Sequence, residues 1–152
     1  MAGTPIGPMN HFTLAAPDVP AAMHFWIDFM GGDWYSESDR LDQVLLGGIL
    51  VDLFPPLDEA AAAAPGDGAQ RFRFSIEPDS VAAWIEKAEE WLVRTSLEVQ
   101  EELLRLILVV DSPGGYHVGL EATYASSSEL WDAVARHKER VSRLDRLAER
   151  VR

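Results

Sequence analysis

Two short stretches decide the fold, because they match as two copies of one strand: HFTLA at residues 11–15 and RFRFS at residues 71–75. Both alternate in polarity, and when one is laid over the other the apolar Phe12 and Leu14 coincide with Phe72 and Phe74. An alternation of period two is typical of a half-buried β-strand. The match therefore predicts an internal repeat, in which each copy begins with a strand.

A helix follows each of these strands. Pro17-Asp18 and Pro78-Asp79 each precede an amphipathic stretch, and both aspartates are candidate N-caps. The first helix is expected from Val19 to Met30, where Gly31-Gly32 supplies a stop signal, and the second from Ser80 to Trp91.

The ends of the two copies also match. GGILVDL at residues 47–53 lies over GGYHVGL at residues 114–120, and in both a glycine pair marks a turn before a strand. Each copy has room for two further strands, so each is predicted to be a βαβββ module of an α+β protein. The two further strands are expected near residues 33–37 and 42–46 in the first copy, and near 93–99 and 103–110 in the second, with 55–70 as the linker.

One segment has two interpretations. Residues 98–108 have helical propensity and could continue the second helix. The run Ile-Leu-Val-Val before Asp-Ser-Pro-Gly-Gly instead favours a strand at 106–110 followed by a turn. The strand is the preferred interpretation.

The C-terminal segment, 126–152, is predicted to be a helix. Ser126 and Glu129 can form a capping box, and apolar side chains then recur at alternating spacings of four and three. This stripe either packs on the protein's own body or mediates a contact between subunits. Its members are Leu130, Val134, His137, Val141, Leu144, Ala148 and Val151.

Composition narrows the function classes. The 152 residues are 47% hydrophobic, which supports a packed core, and no apolar run is long enough to span a membrane. The net charge is −12, and residues 1–125 carry 20 acidic and 6 basic residues, which argues against nucleic acid as a partner and favours a cationic ligand. There is no cysteine, so any metal must be held by His, Asp or Glu. A cytoplasmic protein is expected, since no signal peptide is evident.

Three stretches resemble the vicinal oxygen chelate superfamily, the group of glyoxalases, bleomycin-resistance proteins and extradiol dioxygenases. They are NHFTL at 10–14, RFRFSIEPD at 71–79 and DSPGGYHV at 111–118. The resemblance spans about residues 8–125, with modules near 8–56 and 70–125, and leaves the helix at 126–152 outside. It implies a glyoxalase-like curved sheet, or half-barrel, around a cavity, and a homodimer.

The resemblance also implies a site for a divalent metal (Fe, Mn, Ni or Zn), with ligands on the first and last strand of each module. The corresponding residues are His11, Asp52, Arg71 and Gly119. Arg71 offers no lone pair and Gly119 has no side chain, so half of the site is missing. His117 and Glu121 share a strand face with Gly119, and either could replace the missing ligand. Glu121 would then form a shifted site with His11 and Asp52.

The same alternation predicts a polar cavity wall, which consists of His11, Thr13, Asp52, Phe54, Arg71, Arg73, Ser75, His117 and Glu121. The leading hypothesis is a small-molecule binder with a degenerate metal site, whose ligand contacts Thr13, Phe54, Arg71, Arg73, Ser75 and His117. The alternative is a metal-dependent lyase, isomerase or dioxygenase, in which His11 and Glu121 are catalytic. In a third hypothesis the cavity is vestigial, Arg71 pairs with Asp52, and the terminal helix mediates assembly.

Overall fold

The computed structural model describes residues 3, 5–35, 42–55, 71–113 and 116–151. The chain forms two compact units, residues 1–64 and 65–152, and each contains a four-stranded sheet. The first unit contains β1 (His11–Ala15), α1 (Val19–His24), a π-helical turn (Phe25–Phe29), β2 (Asp33–Tyr35), β3 (Asp42–Leu46) and β4 (Ile49–Phe54). The second contains β5 (Arg71–Ser75), a 3₁₀ turn (Pro78–Ser80), α2 (Val81–Trp91), β6 (Thr95–Gln100), a 3₁₀ turn (Glu101–Leu103), β7 (Arg105–Asp111), β8 (His117–Thr123) and α3 (Ser127–Arg150).

The predicted repeat is confirmed by topology and by register. The strand orders are β1-β4-β3-β2 and β5-β8-β7-β6, and in each sheet only the first pair is parallel. Thr13 lies opposite Asp52 in the first unit, and Arg73 lies opposite Gly119 in the second. The sequence match aligns Thr13 with Arg73 and Asp52 with Gly119, so the two units correspond residue by residue in these strands.

The two helix starts differ. Asp18 caps α1, since its side chain accepts a hydrogen bond from the N–H of Ala21 at 3.0 Å. The N-cap predicted at Asp79 is wrong, because residues 78–80 form a 3₁₀ turn and Ser80 precedes α2. The hydroxyl of Ser80 donates to the carbonyl of Glu77, which closes this extra turn.

The first helix ends where predicted but changes its winding. After His24 the chain is π-helical, and the N–H of Met30 bonds to the carbonyl of Phe25, one residue further back than in an α-helix. Phe25, Trp26 and Phe29 are all buried in this turn, with Trp26 edge-on to Phe25. Apolar spacing alone does not distinguish this winding from an α-helix.

The strand expected at residues 106–110 is confirmed as part of β7. A 3₁₀ turn separates it from β6, so the helical interpretation of 98–108 is wrong. The expected turn at 114–115 and the linker after residue 55 lie largely outside the described residues, as does the end of the strand expected at 33–37.

The terminal helix packs on its own unit. Ser126 caps α3 by accepting from the N–H of Glu129, as predicted, and the helix lies against β6, β7 and α2. The predicted stripe is largely confirmed, with Val134 partly buried and Val151 exposed. No helix within the described residues is long and apolar enough to cross a membrane.

In each unit one sheet face forms the core with the helices. The buried core positions of the strands are Leu14, Val44, Val51 and Leu53 in the first unit, and Leu106, Leu108, Val110, Val118, Leu120 and Ala122 in the second. The alternate positions of the same strands form the opposite faces, which carry most of the polar side chains.

Candidate functional site

The polar face of the first unit centres on a buried carboxylate. Asp52 is only 3% exposed and accepts two hydrogen bonds, one from His11 Nε2 and one from Gln43 Nε2 at 2.6 Å. Thr13 and Gln43 are its register partners on the neighbouring strands. Since a buried carboxylate needs donors for its oxygens, this network explains how the face retains an acid.

The network sets the tautomer of His11. A carboxylate only accepts hydrogen bonds, so the neutral ring carries its proton on Nε2, and Nδ1 keeps a lone pair. No hydrogen-bond partner lies at Nδ1 among the described residues, and the side chain is 46% exposed. His11 is therefore an oriented imidazole with one nitrogen available for proton transfer.

The polar face of the second unit has different residues at the corresponding positions. Arg71 corresponds to His11, Gly119 to Asp52, and Val109 to Gln43. A Cβ added at Gly119 would lie 3.2 Å from Arg73 Cγ and 3.1 Å from Ile107 Cγ2. Gly119 thus gives the Arg73 side chain room to cross the sheet where the first unit has its carboxylate.

Arg71 reaches across this face. Its guanidinium donates to Glu98 Oε1 at 2.6 Å, although the two residues lie on opposite edge strands. In a flat sheet their Cα atoms would be about 19 Å apart, further than the two side chains can bridge. In a twisted sheet, two diagonally opposite corners curve toward the same side, which brings their side chains closer together. The contact between Arg71 and Glu98 therefore indicates that this face is concave. Arg71 is therefore paired within its own unit, with Glu98.

Two more arginines approach Glu121. Arg73 and Arg105 place guanidinium nitrogens 3.6 and 3.4 Å from Glu121 Oε1. This oxygen is shielded from solvent and accepts no hydrogen bond among the described residues. Glu121 therefore lies in a positive environment, which disfavours the binding of a cation there.

A cavity of about 250 Å³ opens at one end of the same face. His117 lines it, with Nδ1 lying 2.8 Å from Asp111 Oδ1 outside hydrogen-bonding geometry. An ion pair between Arg94 and Asp145, 3.1 Å long, brings α3 into the wall. The full lining is Arg71, Arg94, Thr95, Ser96, Val109, Asp111, His117 and Asp145.

The metal site implied by the resemblance does not fit this donor set. Both oxygens of Asp52 are engaged by donors, and the second unit supplies Arg71 and Gly119, neither of which can bind a metal. Within the described ranges no three His, Asp or Glu side chains come together as a possible metal site.

The remaining histidines lie outside these faces. His24 is an exposed helical residue that pairs with Asp28, and His137 is buried on α3. Burial lowers the pKa of His137, and the positive charges of Arg136 and Arg140 lower it further. His137 thus lies within the buried stripe of α3, at a position that the sequence pattern predicted for it.

The aromatic side chains of the first unit are divided between its two sheet faces and its core. Trp26 is a core residue at 1% exposure, whereas Trp34 is 66% exposed on β2, on the core side of that sheet. Phe54 and Tyr35 share the polar face with Asp52.

Several polar members of the two faces were not predicted from the sequence, among them Gln43, Glu98, Gln100, Arg105 and Asp111. Gln43 and Glu98 interrupt apolar strands, which is a usable signal for a polar face. Their partners could not be predicted, because strand register decides which side chains meet.

No family model and no curated protein matches this chain. Solved structures do match. FosX, the fosfomycin resistance protein of Listeria monocytogenes, aligns with a TM-score of 0.65 and 12% identity, covering 80% of this chain and 98% of its own. Lactoylglutathione lyase from Agrobacterium tumefaciens aligns with a TM-score of 0.62 and 18% identity, covering 78% and 96%. The oxidase ChaP-H2 aligns with a TM-score of 0.61 and 16% identity, covering 80% and 98%.

These three structures are named for a resistance role, a lyase and an oxidase, so the likeness defines a fold and not a reaction. About a fifth of this chain has no counterpart in them. The strand orders and the structural matches confirm the fold expected from the resemblance. The chain has the fold of the vicinal oxygen chelate superfamily.

Proposed function

We propose that this protein binds a small molecule on the polar faces of its sheets and that its metal site is degenerate. The observation that carries the proposal is the state of Asp52, whose two oxygens accept hydrogen bonds from His11 and Gln43. A carboxylate held in this way would have to exchange good hydrogen bonds for a metal bond.

The second unit supports the same conclusion. The shifted metal site suggested by the sequence needs Glu121, but guanidinium nitrogens of Arg73 and Arg105 lie 3.6 and 3.4 Å from that carboxylate. Two guanidinium charges at this distance repel an incoming divalent cation. What remains is a concave, polar and partly open surface, of the kind that holds small ligands.

A screen of small molecules by thermal shift tests the binding proposal. A true ligand raises the melting temperature of the wild-type protein in a saturable way, because it binds only the folded state. The shift should shrink in Thr13→Val or Arg71→Gln, which alter the polar faces, and persist in Arg143→Gln, which alters an exposed residue of α3. Hits that none of the face variants weakens would contradict the proposal.

Metal-independent proton transfer is a second candidate, favoured by the orientation of His11. Nδ1 of His11 is the nitrogen that can accept a proton. The hydrogen bond from Nε2 to Asp52 orients the ring, and a hydrogen bond from Gln43 orients the Asp52 carboxylate. In this role a bound substrate loses a proton to Nδ1, and Asp52 stabilises the imidazolium that results.

Nitrogen-15 NMR of the histidine rings tests this candidate without a substrate. The neutral His11 ring should show a protonated Nε2 and a bare Nδ1 in the wild-type protein. Asp52→Asn should shift the proton toward Nδ1, since an asparagine amide can donate to Nε2. A wild-type ring protonated on Nδ1 would exclude Nδ1 as the base.

A homodimer in the cytoplasm is also proposed, on the resemblance alone. Light scattering after gel filtration tests the assembly, and the expected result is a mass near twice that of the single chain. Because α3 packs on its own unit, a dimer built by this helix would have to use its exposed positions. Trp131 and Leu147 are exposed apolar side chains on opposite flanks of the packed stripe. Trp131→Ala and Leu147→Ala test that interface without removing the helix.

A further inference from the structure

Basic residues in the acidic part of the chain are concentrated on one surface. Residues 1–125 contain only six, and three of them, Arg71, Arg73 and Arg105, lie on the polar face of the second unit. A fourth, Arg94, lines the cavity at its end. In a protein with a net charge of −12, this placement indicates a local electrostatic purpose.

The charges on this face are unevenly distributed, and one group of three residues is locally positive. Arg71 is matched by Glu98, and His117 lies against Asp111. Arg73 and Arg105 instead share one carboxylate, that of Glu121, so these three residues carry a net charge of +1. The side chains of Arg73 and Arg105 are 40% and 36% exposed, so a ligand can reach both of them from solvent.

Two hydrogen-bond acceptors on this face have no donor. Glu121 Oε1 and Gln100 Oε1 are both shielded from solvent, and neither has a hydrogen-bond partner among the described residues. Gln100 lies opposite Arg105 in the sheet, on the same face as Glu121. An unpaired buried acceptor is unfavourable, so such atoms commonly mark the place of a water or a ligand donor.

The floor beneath these groups is apolar. Ile107 and Val109 are buried on this face, and Gly119 leaves space that Arg73 crosses. The face therefore combines two cations that share one counter-charge, two acceptors without donors and an apolar base. A ligand that carries only positive charge does not match these groups, although the net negative charge of the chain favours the binding of cations in general.

We infer that the ligand of this face is a small organic anion that also carries a hydroxyl or amino group. Its carboxylate or phosphate oxygens bind the guanidinium groups of Arg73 and Arg105. As these groups turn toward the ligand they uncover Glu121 Oε1, which then accepts a hydrogen bond from the hydroxyl or amine. This inference rests on the proposed function and names the chemical class of the ligand.

Calorimetric titration with four probes tests the assignment at constant ionic strength. Glycerol 3-phosphate carries both an anion and hydroxyls, sulfate carries only the anion, glycerol carries only hydroxyls, and choline is a cation. The expected order of affinity is glycerol 3-phosphate above sulfate, with no measurable binding of glycerol or choline. Raising the salt concentration should weaken both anions.

Three variants locate the binding. Arg73→Gln and Arg105→Gln should each raise the Kd for glycerol 3-phosphate by about tenfold or more, because each removes a charge-assisted hydrogen bond. Arg143→Gln on α3 removes the same net charge from an exposed helical position and should leave the Kd unchanged. Circular dichroism of each variant controls for folding.

Glu121→Gln separates a ligand role from a structural one. Removing this negative charge should tighten the binding of sulfate. It should also reduce the ratio of the two affinities, because a neutral amide oxygen accepts a weaker hydrogen bond from glycerol 3-phosphate than a carboxylate does. If Glu121 had only a structural role, Glu121→Gln would weaken the binding of sulfate and of glycerol 3-phosphate equally.

The inference is overturned if neither anion binds, or if Arg143→Gln weakens binding as much as Arg73→Gln does. Binding of choline in place of the anions would refute the ligand class while leaving the proposed binding function intact. Failure of the proposed function itself is a different result, in which no compound of the wider thermal-shift screen binds.

Discussion

Replacing Asp52 by alanine tests the hydrogen-bond network of the first unit through stability. The carboxylate side chain is 5% exposed and accepts from His11 and from Gln43. His11 is half exposed and can turn to water once its acceptor is removed. Gln43 is only 3% exposed, so its amide loses an acceptor that water cannot easily replace.

The expected cost follows from these burials. A buried donor without its acceptor costs about 1–3 kcal/mol, and the pair with His11 adds little because that ring is open to solvent. Asp52→Ala should therefore lower the free energy of unfolding by about 2 kcal/mol. Gln43→Leu with Asp52→Leu should cost less than Asp52→Ala alone, since both polar partners are then replaced by apolar side chains.

Urea denaturation followed by circular dichroism measures these changes, with Asp28→Ala as an exposed control that should change stability by less than about 0.5 kcal/mol. Hydrogen exchange of peptides from β1 and β4 should show that the loss is local to the first unit. If metal-free Asp52→Ala is as stable as the wild type or more stable, the reasoning fails. That is the outcome expected of a carboxylate kept for a metal rather than for its hydrogen bonds.

Three further predictions concern the second unit. The stability of this unit should fall as the pH drops below about 6.5, because the lowered pKa of His137 means that the unfolded chain binds a proton more readily than the folded chain. Urea denaturation at about pH 7.5 and pH 5 measures this dependence, which should be smaller in His137→Gln. Leu92 ends α2 with a φ of 50° and is 46% exposed, so Leu92→Gly should raise the melting temperature, and a lower value would contradict the strain argument. Leu130→Ala should cost about 2–5 kcal/mol in urea, whereas Leu147→Ala on the exposed side of α3 should cost far less; equal losses would mean that α3 is not docked on its unit.

Much of the fold could be predicted because local patterns and the repeat agree. The alternation at residues 11–15 and 71–75, with two matched glycine pairs, was sufficient to predict both modules and the correct alignment between them. The prediction was wrong where one local sequence pattern is compatible with two structures. The Pro-Asp pair at residues 78–79 has the same appearance as the first, but an added 3₁₀ turn moves the cap to Ser80.

The site could be predicted only in part. Alternation placed Thr13, Asp52, Arg73 and Glu121 on the correct faces, because side-chain direction in a strand follows from spacing. The partners Gln43, Glu98 and Arg105 come from strands distant in sequence, and they depend on register and twist. The sequence therefore showed that two metal-ligand positions carry residues unable to bind a metal. It did not show that Asp52 accepts a hydrogen bond from the Gln43 amide, or that Glu121 lies between two arginines.

Metal content is the most direct test of the central claim, that the donors of a chelate site are committed to other partners. The untagged protein would be purified without chelators and analysed by mass spectrometry for Fe, Mn, Ni and Zn, and its melting temperature would be measured with each ion added. We expect far less than one metal per chain and no saturable shift. About one metal per chain, lost in Asp52→Ala and retained in Asp28→Ala, would contradict the account.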